Sequence, residues 1–321
     1  MRLNPITQLL ILAGLVFLSL AVVVGVRAQS PIPSGADIVQ GALLYDRWYA
    51  VLGVQPPAGD MPIWSRQTTD TLSGADTWRC SECHGWDYRG ALGAYKSGAH
   101  YTGFPDVMTL ASGLSVDQIV AHLKGANDPA HDFSKYMNDR ALTQLAVFLK
   151  YGTIDDSHYI DPTSLQVIGG DVQHGQQLYT TVCATCHGED GEKIVFRSEG
   201  VNEFLGTVAD RDPWRFLHRT RFGTAGTSMP VGYELGWTAA DGRDILAYAQ
   251  TLPSGVQTGT AAPGGQSSVP GNLIGGPATN LWTGILTAIG SFLGTLFGAV
   301  VFILILLGLA TIVVVILRKR A

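Results

Sequence analysis

Two five-residue stretches, CSECH at residues 80–84 and CATCH at residues 183–187, decide how this sequence is interpreted. Together they contain all four cysteines of the chain. Because each cysteine lies in a close pair, the sequence excludes a disulfide framework between distant segments and a cysteine nucleophile outside the pairs. A four-cysteine zinc site would require pairs roughly 15 to 20 residues apart, whereas about a hundred residues separate Cys83 from Cys183.

A histidine follows each cysteine pair directly, and this pattern is typical of covalent attachment of c-type haem. The two cysteines form thioethers with the porphyrin, and the histidine ligates the iron. A thioredoxin-like redox pair does not require histidine at that position. The sequence therefore predicts two haem c groups. The attachment residues are Cys80, Cys83, His84, Cys183, Cys186 and His187.

The segments around the two motifs are also similar to each other. The phrase Gly-x-x-Leu-Tyr precedes both, at residues 41–45 and 175–179, and a glycine follows each histidine. The chain therefore contains an internal repeat. The copies differ in spacing, since Cys80 lies 35 positions after Tyr45, whereas the second motif begins four positions after its tyrosine. We interpret this insert as a structured loop that covers part of the first haem.

On these motifs, each half resembles a class I cytochrome c domain. That fold is small and helical, with an N-terminal helix, the haem motif, a loop that carries an axial methionine, and a closing helix. The resemblance covers residues 35–152 and 168–253, which leaves residues 153–167 as a linker. It implies an all-α fold of two tandem cytochrome c-like domains.

Iron that has histidine on one side takes methionine, histidine or no protein ligand on the other. In the second half, Met229 matches the axial methionine of the family. In the first half, Met137 has the matching position, just before a helix predicted over residues 141–150. Met108, His100 and His131 also follow the first motif. Met108 lies ahead of a helix capped by Ser115, so we interpret it as a core residue, and bis-histidine ligation by His100 or His131 stays open.

The pair Asp212-Pro213 predicts a short helix that runs to Phe222 and ends at Gly223, because Asp is a good N-cap and Pro suits the first helical position. The basic residues of this helix either contact propionates or a partner, or form a solvated face, and we favour the solvated face. They are Arg215, His218, Arg219 and Arg221.

Both ends of the chain are apolar. Residues 1–28 predict a secretory signal, either cleaved after Ala28 or kept as an anchor. Residues 281–317 contain no charged side chain and are long enough for a transmembrane helix, and the basic tail at residues 318–321 should stay in the cytoplasm. Residues 254–280 are rich in Gly, Ser, Thr and Pro, as in a flexible tether. This topology places the haem domains on the periplasmic or extracellular face of a bacterial cytoplasmic membrane.

The resemblance implies an electron carrier of a respiratory or photosynthetic chain rather than an enzyme, because iron with two axial ligands has no open position for a substrate. Its redox partners would be a quinol-oxidising complex or dehydrogenase, and an oxidase or soluble cytochrome. Two alternatives stay open: an obligate dihaem subunit of a larger membrane oxidoreductase or terminal oxidase, and a dihaem peroxidase or gas sensor. The net charge of −5 and the lack of a long basic tract argue against nucleic acid.

Overall fold

The computed structural model describes residues 33–198 and 201–257. The predicted signal at residues 1–28, the transmembrane region at 281–317, the basic tail, and all of the tether after residue 257 lie outside the described residues. Within the described ranges, none of the helices combines the length and the apolar character that a membrane span needs.

The first half consists of five α-helices linked by loops and short 3₁₀ turns. The long first helix begins after Ser34, whose hydroxyl accepts the N–H of Asp37 at 3.1 Å. It ends at Gly53, which has a left-handed φ of 64°. The helices are α1 Gly35–Leu52, α2 Cys80–His84, α3 Val107–Gly113, α4 Val116–Leu123 and α5 Asp139–Tyr151.

The described part of the second half has five further helices. The first of them continues through a single π-helical turn, Tyr179–Cys183, directly into the haem motif. The helices are α6 Val172–Leu178, α7 Ala184–His187, α8 Leu205–Arg211, α9 Pro213–Phe222 and α10 Ala239–Ala249.

A small antiparallel sheet accompanies the helices of the second half. Its strands are β1 Phe196–Ser198, β2 Val201–Glu203 and β3 Val256–Gln257, in the order β1-β2-β3. The fold is mostly helical, as expected, but the expectation of an all-α fold omitted this sheet. The strands have only two or three residues each, too few for an alternating pattern that the sequence could reveal.

The repeated Gly-x-x-Leu-Tyr phrase makes the same contacts in both halves. A Cβ at Gly41 would lie 2.1 Å from the carbonyl oxygen of Gln144 on α5, and one at Gly175 would lie 1.8 Å from that of Asp244 on α10. Any larger residue would push the helices apart. In each half, therefore, glycine lets the opening helix pack backbone to backbone against the closing helix.

The two halves have separate hydrophobic cores but belong to one compact unit. Helix α9 of the second half also packs against α1 of the first, and its Phe222 belongs to the first core. His218 on α9 is completely buried. Its Nδ1 lies 2.7 Å from the hydroxyl of Tyr88, and its Nε2 donates to the carbonyl oxygen of Ala42 at 3.2 Å.

Candidate haem-binding sites

The first Cys-x-x-Cys-His motif forms the single helical turn α2. Gly85 ends it with a φ of 74°, a conformation that favours glycine. Burial raises the pKa of the Cys80 thiol to about 12 and that of Cys83 well above its usual range. Such thiols are poor nucleophiles and poor thiolate metal ligands. An uncharged thioether, by contrast, is compatible with this buried position.

His84 has one ring nitrogen fixed by the backbone. Its Nδ1 donates to the carbonyl oxygen of Pro105 at 2.9 Å, which leaves Nε2 for a metal. Hydrogen bonds of this kind orient metal-ligating histidines in general. Burial lowers the pKa of His84 to about 4, so the imidazole is neutral at physiological pH, as ligation requires.

A cavity of about 530 Å³ lies beside Cys83 and His84. This volume is within the range of binding sites for cofactors and other small molecules. Most of the wall is apolar, which suits a porphyrin face. The apolar side chains are Ile63, Phe104, Val107, Leu110, Ala111, Leu114, Ile119, Leu123 and Leu149. One of them, Ile63, comes from the insert before the motif, which is structured as expected and contains the buried residues Met61 and Trp64.

The structure brings His131 to this cavity and leaves Met137 and His100 elsewhere. The ring centroids of His84 and His131 are 6.3 Å apart, with 78° between the ring planes. Met137, the ligand chosen from the sequence, is buried in the first core and does not line the cavity. The ring of His100 stacks on Tyr95, with 5.2 Å between the centroids. Of the four candidates for the sixth ligand, Met108, His100, His131 and Met137, only His131 lines the cavity that His84 lines.

The second motif follows the π-helical turn and ends at Gly188, with a φ of 83°. His187 is 9% exposed, and burial lowers its pKa. Its Nδ1 is buried and has no hydrogen-bond partner among the described residues. Cys183 is partly buried, whereas Cys186 is exposed. A buried, neutral imidazole beside two cysteines fits the donor set for haem c here as well.

Met229 lies in the loop after α9, where the sequence predicts the axial methionine. Its side chain is partly buried, and its Sδ accepts a hydrogen bond from Thr224 Oγ1 at 3.2 Å. The loop also contacts the first half, since a Cβ at Gly226 would lie 3.2 Å from that of Ala50. Ligation of the second iron by Met229 stays a prediction.

Both haem motifs have the same tyrosine hydrogen bond. The hydroxyl of Tyr45 donates to the carbonyl oxygen of Gly85 at 2.7 Å, and that of Tyr179 donates to the carbonyl oxygen of Gly188 at 2.6 Å. In each case the acceptor is the residue that follows the motif histidine. The opening helix of each half therefore holds the end of the Cys-x-x-Cys-His turn in place.

A charged cluster that the sequence analysis missed lies between the halves. The Asp46 carboxylate is 1% exposed and lies 3.0 Å from a guanidinium nitrogen of Arg79 and 3.1 Å from one of Arg219. The two guanidinium groups also approach the ring of Trp86, at 5.8 and 5.1 Å from its centroid. The only signal in the sequence is an aspartate among apolar residues of α1.

The preference for a solvated face on α9 was wrong for its central residues. His218 is completely buried, and the side chains of Arg215 and Arg219 are only 13% and 21% exposed. Arg215 pairs with Glu203 at 3.1 Å. These groups are buried because α9 packs between the two halves, and carboxylates compensate its charges.

Comparison with protein families supports the interpretation of the second half. The family model of cytochrome c matches residues 172–253, a span that runs from α6 past α10 and includes the second haem motif. This part of the chain is therefore a cytochrome c domain, which supports a c-type cytochrome, implies haem c and suggests electron transfer in general. No curated protein matches the chain.

Proposed function

We propose that this chain is a membrane-anchored dihaem c-type cytochrome that passes electrons one at a time. The observation that carries the proposal is the common construction of the two motifs. Tyr45 and Tyr179 donate the same hydrogen bond behind the two Cys-x-x-Cys-His turns, and one of these turns lies in a recognised cytochrome c domain. Because the first half has the same construction, we propose that it also binds a haem.

Bound haem supplies a one-electron iron couple, whose potential depends on the axial ligands and on the burial of the site. At the first site, Pro105 fixes the ring of His84, and most of the cavity wall is apolar. A low-dielectric, preorganised environment needs little rearrangement when the charge on the iron changes. This arrangement favours a carrier over an enzyme that must admit a substrate.

The proposed location rests on the sequence alone. The apolar segments at residues 1–28 and 281–317 support export followed by anchoring, with the haem domains outside the cytoplasm. The tether at residues 254–280 would let the haem domains reach neighbouring proteins in the membrane. The proposed partners are a quinol-oxidising complex or dehydrogenase as donor, and an oxidase or soluble cytochrome as acceptor.

A spectroelectrochemical titration of the full chain, produced with cytochrome c maturation proteins, tests the proposal. We expect haem c spectra and two reversible one-electron waves. The double variant Cys183→Ala/Cys186→Ala should retain only one wave, and Cys80→Ala/Cys83→Ala should retain only the other. High-spin iron that rapidly binds carbon monoxide would contradict a carrier and favour the peroxidase or sensor alternative.

A further inference from the structure

The cavity at the first motif brings the rings of His84 and His131 together, with 6.3 Å between their centroids and 78° between their planes. We infer that His84 and His131 bind the same iron, so that the first haem has two histidine ligands while the second has histidine and methionine. This inference rests on the proposed function, since it requires a haem at Cys80 and Cys83. It assigns the two haems different roles.

The distance between the rings matches shared coordination. A metal–imidazole bond is about 2 Å long, and the ring centroid lies roughly 1 Å beyond the ligating nitrogen. Two imidazoles on opposite sides of one iron therefore have centroids about 6 Å apart. The observed separation of His84 and His131 is 6.3 Å. Both rings line the same mostly apolar cavity.

The surroundings of both rings suit ligation. His84 donates through Nδ1 to Pro105, and His131 forms a hydrogen bond with the backbone of His122. Each ring thus has a backbone partner on one side, an arrangement that orients metal-binding histidines. The ring of Phe133 packs edge-on against that of His131, with 5.1 Å between the centroids.

Met137 has a different role in this structure. It is 2% exposed, and its N–H donates to the carbonyl oxygen of Phe133 at 2.9 Å, in the turn just before α5. Its side chain packs in the first core and not on the cavity wall. Methionine often fills irregular space in a core in this way.

Different ligands imply different potentials. Ligation by histidine and methionine raises the potential of haem iron, so the first haem should have the lower potential. Electrons would then move downhill from the first half to the second. The first haem would be the entry site, and the second would be the exit toward the acceptor.

The test uses the full chain with haem attached, in four single variants. In the wild type, electron paramagnetic resonance and near-infrared magnetic circular dichroism should show one His/His haem and one His/Met haem. His131→Met should convert the first to a second His/Met haem, with a new sulfur-to-iron charge-transfer band and a higher midpoint potential. His131→Ala should make the first haem high-spin, and added imidazole should restore the low-spin state. The matched controls, His100→Ala, whose ring stacks on Tyr95 outside the cavity, and Met137→Leu in the core, should leave these spectra unchanged.

Two sulfur-ligated haems in the wild type, or loss of a sulfur band in Met137→Leu, would overturn the inference. If His131→Ala does not fold, the spectra of the wild type and of His131→Met still show whether His131 is a ligand of the first haem. Failure of the proposed function gives a different result, because the mass of the protein would then lack a haem at Cys80 and Cys83. A bound first haem with a methionine ligand would refute only the assignment of His131.

Discussion

Replacement of Asp46 by asparagine should weaken the junction between the two halves strongly. Asn keeps the shape of the side chain but removes the charge that faces Arg79 and Arg219. Arg79 keeps Glu82, whose carboxylate lies 2.7 Å away. Arg219 pairs with no carboxylate other than Asp46 within the described part of the chain. The variant therefore leaves one largely buried guanidinium without a counter-charge.

Removal of one partner from a buried ion pair costs about 3–5 kcal/mol. For a folded unit of this size, each kcal/mol lowers the melting temperature by roughly 2–4 °C, so Asp46→Asn should lower it by at least about 6 °C. The assay is thermal unfolding of the full chain with haem attached, followed by circular dichroism in the haem absorption band. The control is Asp139→Asn, whose carboxylate pairs with Lys124 but is 87% exposed, so it should have little effect. Equal melting temperatures for Asp46→Asn and the wild type would refute the reasoning.

The ion pairs of Asp46 with Arg79 and Arg219 also predict that the stability of the fold depends on pH. Burial alone would raise the pKa of Asp46, but the charges of Arg219 and Arg79 outweigh it and hold the pKa well below its usual range. A carboxyl with a lowered pKa in the folded state stabilises the fold above its ordinary pKa, near pH 4, and loses this contribution as the pH falls. The difference in stability between the wild type and Asp46→Asn should therefore be constant above about pH 5 and shrink below pH 4. A difference that grows in acid would contradict this sign.

Three further predictions concern the repeat and the buried histidine. Tyr45→Phe and Tyr179→Phe should each lower the free energy of unfolding in guanidinium by about 1 kcal/mol, because each removes one hydrogen bond of the same kind. A loss of stability in only one of the two variants would argue against a structural repeat. Gly41→Ala should lower the free energy of unfolding by about 3 kcal/mol or prevent folding, because the added Cβ would clash with the backbone of α5. An unchanged midpoint of the guanidinium unfolding curve would refute the close contact between the helices. Burial lowers the pKa of His218 to about 4, so unfolding free energy should fall by roughly 3 kcal/mol between pH 6.5 and 4. His218→Gln should remove that slope, and an unaltered slope would assign it to other groups.

Local signals in the sequence predicted several elements well. The helix predicted from Asp212-Pro213 begins at Pro213 and ends at Phe222, and Gly223 follows it. The predicted bounds are therefore confirmed. The Asp212 carboxylate accepts the N–H of Arg215 at 3.1 Å, as an N-cap should. The closing helix expected over residues 141–150 spans Asp139–Tyr151. Caps and helix periodicity involve residues close in sequence, so they can be read without knowledge of the tertiary fold.

Other features depend on contacts between distant residues. Helical spacing cannot reveal that His218 reaches Tyr88, because the partners are 130 positions apart. Similarly, no local pattern reveals that the path of the loop after α4 brings His131 to the cavity at the first motif. Asp46 and Arg219 are 173 positions apart, and their pairing follows from the packing of α9 against α1. Tertiary packing decides which polar side chain faces a cavity or the junction between the halves, and no short stretch of sequence reveals that packing.

The central claim is that both cysteine pairs carry covalent haem. Intact mass spectrometry of the mature polypeptide, purified from membranes of cells that express cytochrome c maturation proteins, tests it most directly. We predict the mass of the chain plus two haem groups, reduced to one haem in Cys80→Ala/Cys83→Ala and likewise in Cys183→Ala/Cys186→Ala. A mature chain with unmodified cysteines, or with a single haem that persists when the first pair is removed, would contradict the claim.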